Sequence, residues 1–288
     1  MPPLVSVLTP SLNQERYLRD CLESVSRQTY EAIEHVVMDG GSRDGSVDLL
    51  EQSSRRGLRW RSEPDRGQAH ALNKALETSE GSIIGWVNSD DAYADRRAVA
   101  WAVEGFERNP AVDVVFGHAL LVNEANTVLH LMWAPPFDRK LYRRVNFIVQ
   151  PTVFVRRSAI EREGSFLDER YDFVFDRDLL LRLAAWATFH HLGEVVAIDR
   201  HQRARKVETA AFVEEAIRYD EERGLPVGPR ARIAAKALKI TFRGAGAARL
   251  ARLSSRIDPA FEINFPPAVA LVRAQLLQAR ARMPFGDG

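Results

Sequence analysis

Ile84-Gly85-Trp86-Val87-Asn88-Ser89-Asp90-Asp91 is the stretch that decides the fold, because an apolar run ends there abruptly in neighbouring carboxylates. A glycine before and charges after such a run mark a buried strand that surfaces at its C-terminal tip. In open α/β sheets ligands bind at that tip, so the position of the acids matters more than their number. Two adjacent aspartates repel one another unless a cation, protons or water offset the charge. A hard divalent ion bridging to a phosphate would do so, and so would a plain solvated turn or helix cap.

Working outward from that tip, strand, polar loop and helix recur three times upstream. Val5 to Thr9 reads as a strand cut off by Pro10, and Ser11-Leu12-Asn13-Gln14 leads into a helix with Leu18, Cys21, Leu22 and Val25 at helical spacing. His35 to Met38 is a second strand, closing on Asp39-Gly40-Gly41-Ser42-Arg43-Asp44-Gly45-Ser46 and a helix through Val47, Leu49 and Leu50. Leu58 to Arg61 gives a third strand, followed by Ser62-Glu63-Pro64-Asp65-Arg66-Gly67 and a helix from Gln68 to Thr78. Ile83 to Val87 is the fourth. Such alternation predicts a mainly parallel sheet with helices on both faces. Neither G-x-G-x-x-G nor G-x-x-x-x-G-K-[ST] occurs, which argues against a NAD dehydrogenase or a P-loop NTPase.

A second acidic cluster stands in Tyr171-Asp172-Phe173-Val174-Phe175-Asp176-Arg177-Asp178-Leu179. Leu179, Leu180, Leu183 and Ala184 share a helical face, so Asp176 and Asp178 open an amphipathic helix, where the dipole favours carboxylates. One acid can cap while the other projects into a cleft. A strand from Val195 to Ile198 then ends in Asp199-Arg200-His201-Gln202. Between the clusters, Asp113 to His118 reads as a strand and Leu120 to Met132 as a hairpin around Asn123 to Thr127. Thr152 to Val155 reads as a further strand.

Taken in order, these pieces resemble glycosyltransferase family 2, the inverting sugar transferases of GT-A fold. The resemblance rests on Ser6-Val7-Leu8-Thr9-Pro10, Val36 to Ser46, Ser62 to Gly67, Ala71-Leu72-Asn73-Lys74-Ala75, Asn88 to Asp91, Asp176-Arg177-Asp178-Leu179 with Arg182, and Arg200-His201. It covers roughly residues 4 to 206 and implies an α/β, GT-A type fold, with a mainly parallel sheet flanked by helices.

The roles that follow are implied by that resemblance. Asn88-Ser89-Asp90 stands in the place of the D-x-D motif, with Asp90 as ligand of Mn²⁺ or Mg²⁺ and Asn88 able to bond a ribose without adding charge. Asp91 shapes the loop or touches the donor sugar. Asp39 corresponds to the residue that bonds the donor base, and Thr9, Pro10 and Ser11 line the same pocket through their backbone. Asn13, Asn73 and Ser89 join the nucleotide-sugar contacts, and Arg66 and Lys74 are candidates for the diphosphate or sugar. Leu12 stands where many relatives carry an aromatic, which weakens base stacking. Asp176 aligns with the general base, while Phe175 replaces the preceding glutamate and should raise its neighbour's pKa by desolvation. His201 resembles the histidine that joins the metal or phosphate, with Arg200 beside it.

The implied chemistry is one in-line displacement, in which Asp176 takes a proton from the acceptor hydroxyl as it attacks the anomeric carbon. Donor and acceptor would be a nucleoside-diphosphate sugar, UDP by default, and a glycan or lipid-linked sugar in bacterial-type surface polysaccharide synthesis. The rival readings are a sugar-nucleotide nucleotidylyltransferase and a catalytically inactive sugar-nucleotide-binding module. The former wants a glycine-rich basic loop after the first strand, where Thr9-Pro10-Ser11-Leu12-Asn13 stands instead.

The chain has 288 residues, a net charge of +1 and a single cysteine, Cys21. That balance argues against a dedicated nucleic-acid binder, and one cysteine allows no internal disulfide, which fits a reducing, cytoplasmic setting. No secretory h-region or spanning apolar run is present. The sequence divides into a catalytic unit, 1–206, and a basic helical extension, 207–288. Beyond Gly224, eleven basic residues stand against three acids. Such helices suit peripheral contact with the inner face of the cell membrane, docking on the catalytic unit or pairing of two subunits.

Overall fold

The computed structural model describes residues 2–53, 57–202 and 209–228. The chain begins with β1 (Val5–Ser11), α1 (Glu15–Ser26), β2 (Ile33–Asp39), α2 (Ser46–Gln52), β3 (Leu58–Ser62), α3 (Gln68–Thr78) and β4 (Ile83–Trp86). It continues with β5 (Ala92–Tyr93), α4 (Ala98–Arg108), β6 (Val114–Asn123), β7 (Val128–Met132) and α5 (Arg139–Tyr142). A 3-10 turn (Gln150–Thr152), β8 (Phe154–Arg156), α6 (Arg157–Glu163), α7 (Phe175–Leu183), β9 (Phe189–His201) and α8 (Ala210–Glu222) follow.

The sheet order is β3-β2-β1-β4-β8-β6-β9-β5, with β7 beside β6. Strands β3, β2, β1 and β4 are all parallel, as the threefold alternation predicts. Beyond β4 the sheet becomes mixed: β8 runs antiparallel to β4 and β6, β6 pairs parallel with β9, and β5 and β7 run antiparallel to β9 and β6. The antiparallel β6–β7 pair follows from the hairpin at Asn123, whose Oδ1 accepts the amides of Ala125 and Thr127 and turns the chain straight back. A hairpin needs no crossover helix.

Strand β1 is buried along its whole length because it lies between β2 and β4. Its polar residues are paired in place: Ser6 Oγ donates to Glu34 at 2.6 Å and Thr9 Oγ1 donates to the Val87 carbonyl at 2.8 Å. Pro10 survives in this central strand for a geometric reason. Leu8 accepts the Val87 amide, so alternate residue Pro10 also faces the β4 side, where pairing has already ended at Leu8 and Trp86. Its missing N–H has no partner to lose.

Each face of the sheet carries its own core. Leu8, Val36, Met38, Ile84 and Trp86 pack against α3, α6 and α7, while Val5, Val7, Ile83 and Val87 meet Cys21 and Val25 of α1 and the apolar face of α4. Ala69, Ala71 and Ala75 let α3 approach the sheet closely, and buried Leu72 contributes about 2 kcal/mol by its transfer from water. Cys21 is a packing residue, its thiol pushed up to about 12 by burial. Helix α8 falls in the sequence-defined extension, yet it packs into the catalytic body, with Tyr219 and Leu225 in the largest core cluster. The basic stretch from Arg230 to Arg282 lies outside the described residues. No helix among the described residues is long and apolar enough to cross a membrane.

Candidate functional site

Four parallel strands deliver their C-terminal ends to one edge: Ser11 of β1, Asp39 of β2, Ser62 of β3, and Asn88 to Asp91 just past β4. Asp39 is buried and knits the glycine turn to the sheet. Its Oδ2 accepts from Ser62 Oγ at 2.7 Å and from the amides of Ser42 at 2.8 Å and Gly41 at 3.1 Å, and Oδ1 accepts from Ser42 Oγ at 2.5 Å. A donor base would therefore meet a carboxylate already ringed by the protein's own donors. Asn13 adopts a left-handed conformation and ties β1 to the same turn, its Oδ1 accepting the Arg43 amide at 2.8 Å. Ser11 Oγ is buried at the strand tip without a hydrogen bond.

Leu12, just past the tip of β1, is exposed, at 52% accessibility. Across from it, Gly40 allows Asp65 to press against the turn: a β-carbon at Gly40 would stand 2.7 Å from Asp65 Oδ2 and 3.4 Å from Leu12 Cδ1. Asp65 carries no role in the sequence reading. It stands in the Ser62 to Gly67 stretch that carries the family resemblance, where its neighbour Arg66 was given a contact instead.

Beyond β4, Asn88 Oδ1 accepts from Gln68 Nε2 at 2.6 Å, and Asn88 Nδ2 donates to Asp91 Oδ2 at 3.2 Å. Asp91 is buried and its Oδ1 accepts the Arg200 amide at 2.9 Å, so it holds the turn against β9. Ser89 is buried beside it. Asp90 is different. Part of its surface stays open while protein atoms crowd its carboxyl, which burial pushes above the usual carboxylate range, as does the neighbouring Asp199. Gln202 Nε2 donates to Asp90 Oδ2 at 2.7 Å. His201, half-buried at the end of β9 opposite Asn123, immediately precedes Gln202.

This donor set fits a divalent cation of a particular kind. A crowded carboxyl beside a second carboxylate is a site where positive charge is favourable. Among the described residues no group of three or more His, Cys, Asp or Glu side chains converges on one point. A cation on Asp90 would therefore complete its shell with substrate phosphates and water, which suits Mg²⁺ or Mn²⁺.

On α7 the two acids part company. Asp178 is fully buried and structural: Oδ2 accepts from Arg182 Nε at 2.7 Å, and Oδ1 from Arg223 Nη2 at 2.5 Å and Tyr219 Oη at 3.2 Å. Asp176 lies in the first turn, partly open yet deep among protein atoms, and burial pushes its carboxyl up to about 6 against the opposing pull of Arg177. The loop ahead of it comes close to the donor edge. A β-carbon at Gly67, which has φ +122, would lie 3.8 Å from Asp172 Oδ1, and the next residue, Gln68, holds Asn88.

Other sequence candidates have different positions. Arg200 is wholly buried, ion-paired with Asp20 at 2.9 Å and seated 4.5 Å over the Tyr17 ring. Its guanidinium faces α1, while its charge also acts on Asp90. The Thr9 side chain points inward, bonded to His35 Nε2 at 2.9 Å and to Val87. Asn73 clamps a downstream loop, donating to the Leu167 carbonyl and Glu169 at 3.0 Å each and accepting the Leu167 amide at 3.1 Å. Arg66 pairs with Glu169 at 2.6 Å and Lys74 with Glu63 at 2.9 Å, so both cations are shared with acids at the rim. Gln68 and Gln202, the two residues that hold the β4 tip, were missed because neutral amides carry no charge pattern to notice.

Comparison with known proteins agrees with this architecture. Residues 6–164 match the sequence model described as glycosyl transferase family 2. An uncharacterised glycosyltransferase of Mycobacterium tuberculosis, Rv1514c, is 30% identical over 185 residues, covering 63% of this chain and 69% of that protein. Among solved structures, TarS residues 1–349 of S. aureus in complex with UDP-GlcNAc superposes with a TM-score of 0.61 at 15% identity, covering 98% of this chain and 93% of that one. The mannosyltransferase PcManGT of Pyrobaculum calidifontis, in complex with GDP-Man and Mn²⁺, gives 0.57 at 17% identity, covering 98% and 87%. Fold and family model agree, and the chain belongs to glycosyl transferase family 2.

Proposed function

We propose that this protein transfers a sugar from a nucleoside-diphosphate sugar to a hydroxyl of a glycan or lipid-linked acceptor, with inversion at the anomeric carbon. The observation that carries the reading is the pair of crowded, partly open carboxyls, Asp90 and Asp176, both raised by burial and borne on separate elements. Pairs of titratable groups with perturbed affinities mark sites of chemistry.

Asp176 is the general base: with its affinity near 6 it is largely ionised at neutral pH and still a better proton acceptor than an ordinary carboxylate. Asp90, with His201 next to the Gln202 that bonds it, would hold Mn²⁺ or Mg²⁺. When bound, that ion supplies positive charge to the departing diphosphate. Keeping base and cation ligand apart preserves the base's proton affinity. Leu12, Gly40 and Asp65 shape the nucleotide pocket, and UDP is the first nucleotide to test, because TarS is a UDP-GlcNAc complex, with GDP next on the strength of PcManGT. Surface polysaccharide synthesis is the process we assign.

The test is release of UDP or GDP from a panel of sugar nucleotides with and without Mn²⁺, in wild type, Asp90→Asn and Asp176→Asn. A transferase requires cation-dependent release that falls at least about 100-fold in Asp176→Asn with nucleotide affinity retained. Binding without turnover in all three proteins would favour an inactive sugar-nucleotide-binding module instead.

A further inference from the structure

Helix α7 starts at Val174 without a side-chain cap of its own. The backbone amides just ahead of it are instead collected by a residue on α8, forty-odd positions later. Glu215 is buried; its Oε2 accepts the Asp172 amide at 2.9 Å, and its Oε1 accepts the amides of Phe173 at 2.8 Å and Val174 at 3.0 Å. Three successive N–H groups around one carboxylate form an anion nest, and the dipole of α7 adds to the attraction. The rest of α8 reinforces the grip. Arg177 pairs with Asp220 at 2.7 Å, and Asp178 binds Tyr219 and Arg223. Asp176 lies two residues past the nest, and both helices lie beyond the stretch matched by the family model.

We propose that Glu215 is the positioning residue for the base: by fixing the 172–174 backbone it sets where the Asp176 carboxylate sits and how far solvent reaches it. The inference rests on Asp176 being the base. The charged and titratable groups around Asp176 are Arg177 on its own helix, Tyr142 of α5, and Asp220 and Tyr219 of α8, which engage Arg177. Glu215 acts on the base through backbone geometry, so its loss should hydrate Asp176 and return it toward ordinary carboxylate behaviour.

The experiment compares Glu215→Ala, Glu215→Gln, Asp176→Asn and, as a control on an exposed position of α8, Arg218→Ala. Hydrogen exchange of the 172–174 amides and donor hydrolysis with Mn²⁺ are measured, using whichever of UDP-GlcNAc and GDP-mannose is turned over. Glu215→Ala should exchange these amides at least about 10-fold faster and lose about 10- to 100-fold in kcat, with donor KM within about twofold, because small misplacements of a catalytic group cost that much. The acidic limb of kcat should move below its wild-type position. Glu215→Gln keeps an acceptor for two of the three amides and should fall between; it decides the matter if Glu215→Ala does not fold. Arg218→Ala should match wild type throughout. Unchanged exchange at 172–174 in a folded Glu215 variant overturns the proposal. So does wild-type kcat and pH limb in both Glu215 variants while Asp176→Asn is inactive, and that outcome leaves the base assignment standing. An active Asp176→Asn removes the base assignment and the positioning role with it.

Discussion

Gln68, at the first position of α3, donates its side-chain amide to Asn88 at 2.6 Å, so the helix that packs on the sheet also orients the loop that follows β4. Asn88 passes the constraint on, donating to Asp91, and Asp91 receives the backbone of Arg200. The uncharged residue at position 88 is thus a structural bridge between the Gln68 amide and the Asp91 carboxylate.

Replacing Asn88 with Asp should make the fold cation-dependent. The new carboxylate would face Asp91 at a distance where Asn88 now stands 3.2 Å away as a donor. Like charges so close repel, and we expect a lower Tm in EDTA that Mn²⁺ restores by at least about as much as it stabilises wild type, by linkage of binding to folding. Differential scanning fluorimetry with and without Mn²⁺ reads this directly.

Asp90→Asn should leave the fold intact and abolish the Mn²⁺-induced rise in Tm measured with UDP or GDP present. Gln202 can still donate to the amide oxygen that replaces Asp90 Oδ2, so the β4 tip keeps its bond to β9. A full cation response in this variant would move the metal ligand elsewhere.

Stability should depend on pH through Asp176. Its carboxyl is raised from 3.8 to about 6 in the folded state, so between these values the folded protein holds a proton that the unfolded chain releases. The resulting stabilisation is present below about pH 4, declines as pH rises and is gone above about pH 6. Asp176→Asn removes the term and should stabilise the protein at pH 7 by no more than about 3 kcal/mol, less where cleft water relaxes the shift. Urea titrations at pH 4.5 and 7.5 should show the mutant's advantage about threefold larger at the higher pH. Turnover should rise with pH across the same interval.

Asp178→Ala should destabilise severely. The carboxylate is fully buried between Arg182 and Arg223, and removing it strands two cations and the Tyr219 hydroxyl. Breaking such a group costs about 3–5 kcal/mol, and the lower end applies here, since Arg182 keeps Glu163 and the Phe166 carbonyl. Chemical denaturation gives the value. Tm should fall far more than in Arg218→Ala.

Arg200→Met separates a packing role from a donor contact. The side chain is sealed between Asp20 and the Tyr17 ring, so its loss should lower Tm while the Kd for UDP or GDP changes less than about twofold. Isothermal titration of the nucleotide with Mn²⁺ measures the second quantity.

The parallel half of the sheet was legible because β1, β2 and β4 are largely apolar stretches between polar loops, their few polar residues, such as Ser6, Thr9, Glu34 and His35, being buried and hydrogen-bonded within the sheet. The first half of β9 was hidden. His190, His191, Gly193 and Glu194 spoil any alternation, and the structure explains them by register shifts near Phe116 and His118 and a positive φ at Gly193. The acids at the strand tip and at α7 stood out by charge, and Phe175 correctly foretold the raised Asp176. The contacts that Arg200 makes with Asp20 and Tyr17 join β9 to α1 across most of the chain, a pairing no local pattern displays. The link from Glu215 to residues 172–174 joins a carboxylate to backbone amides, and amides leave no trace in a sequence.

Pro10 carries a consequence for how this sheet meets other chains. Past Leu8 and Trp86 the Val87 amide still reaches Leu8 and the Val87 carbonyl is taken by the Thr9 hydroxyl, so an extended peptide approaching there meets, at Pro10, a residue with no hydrogen to donate.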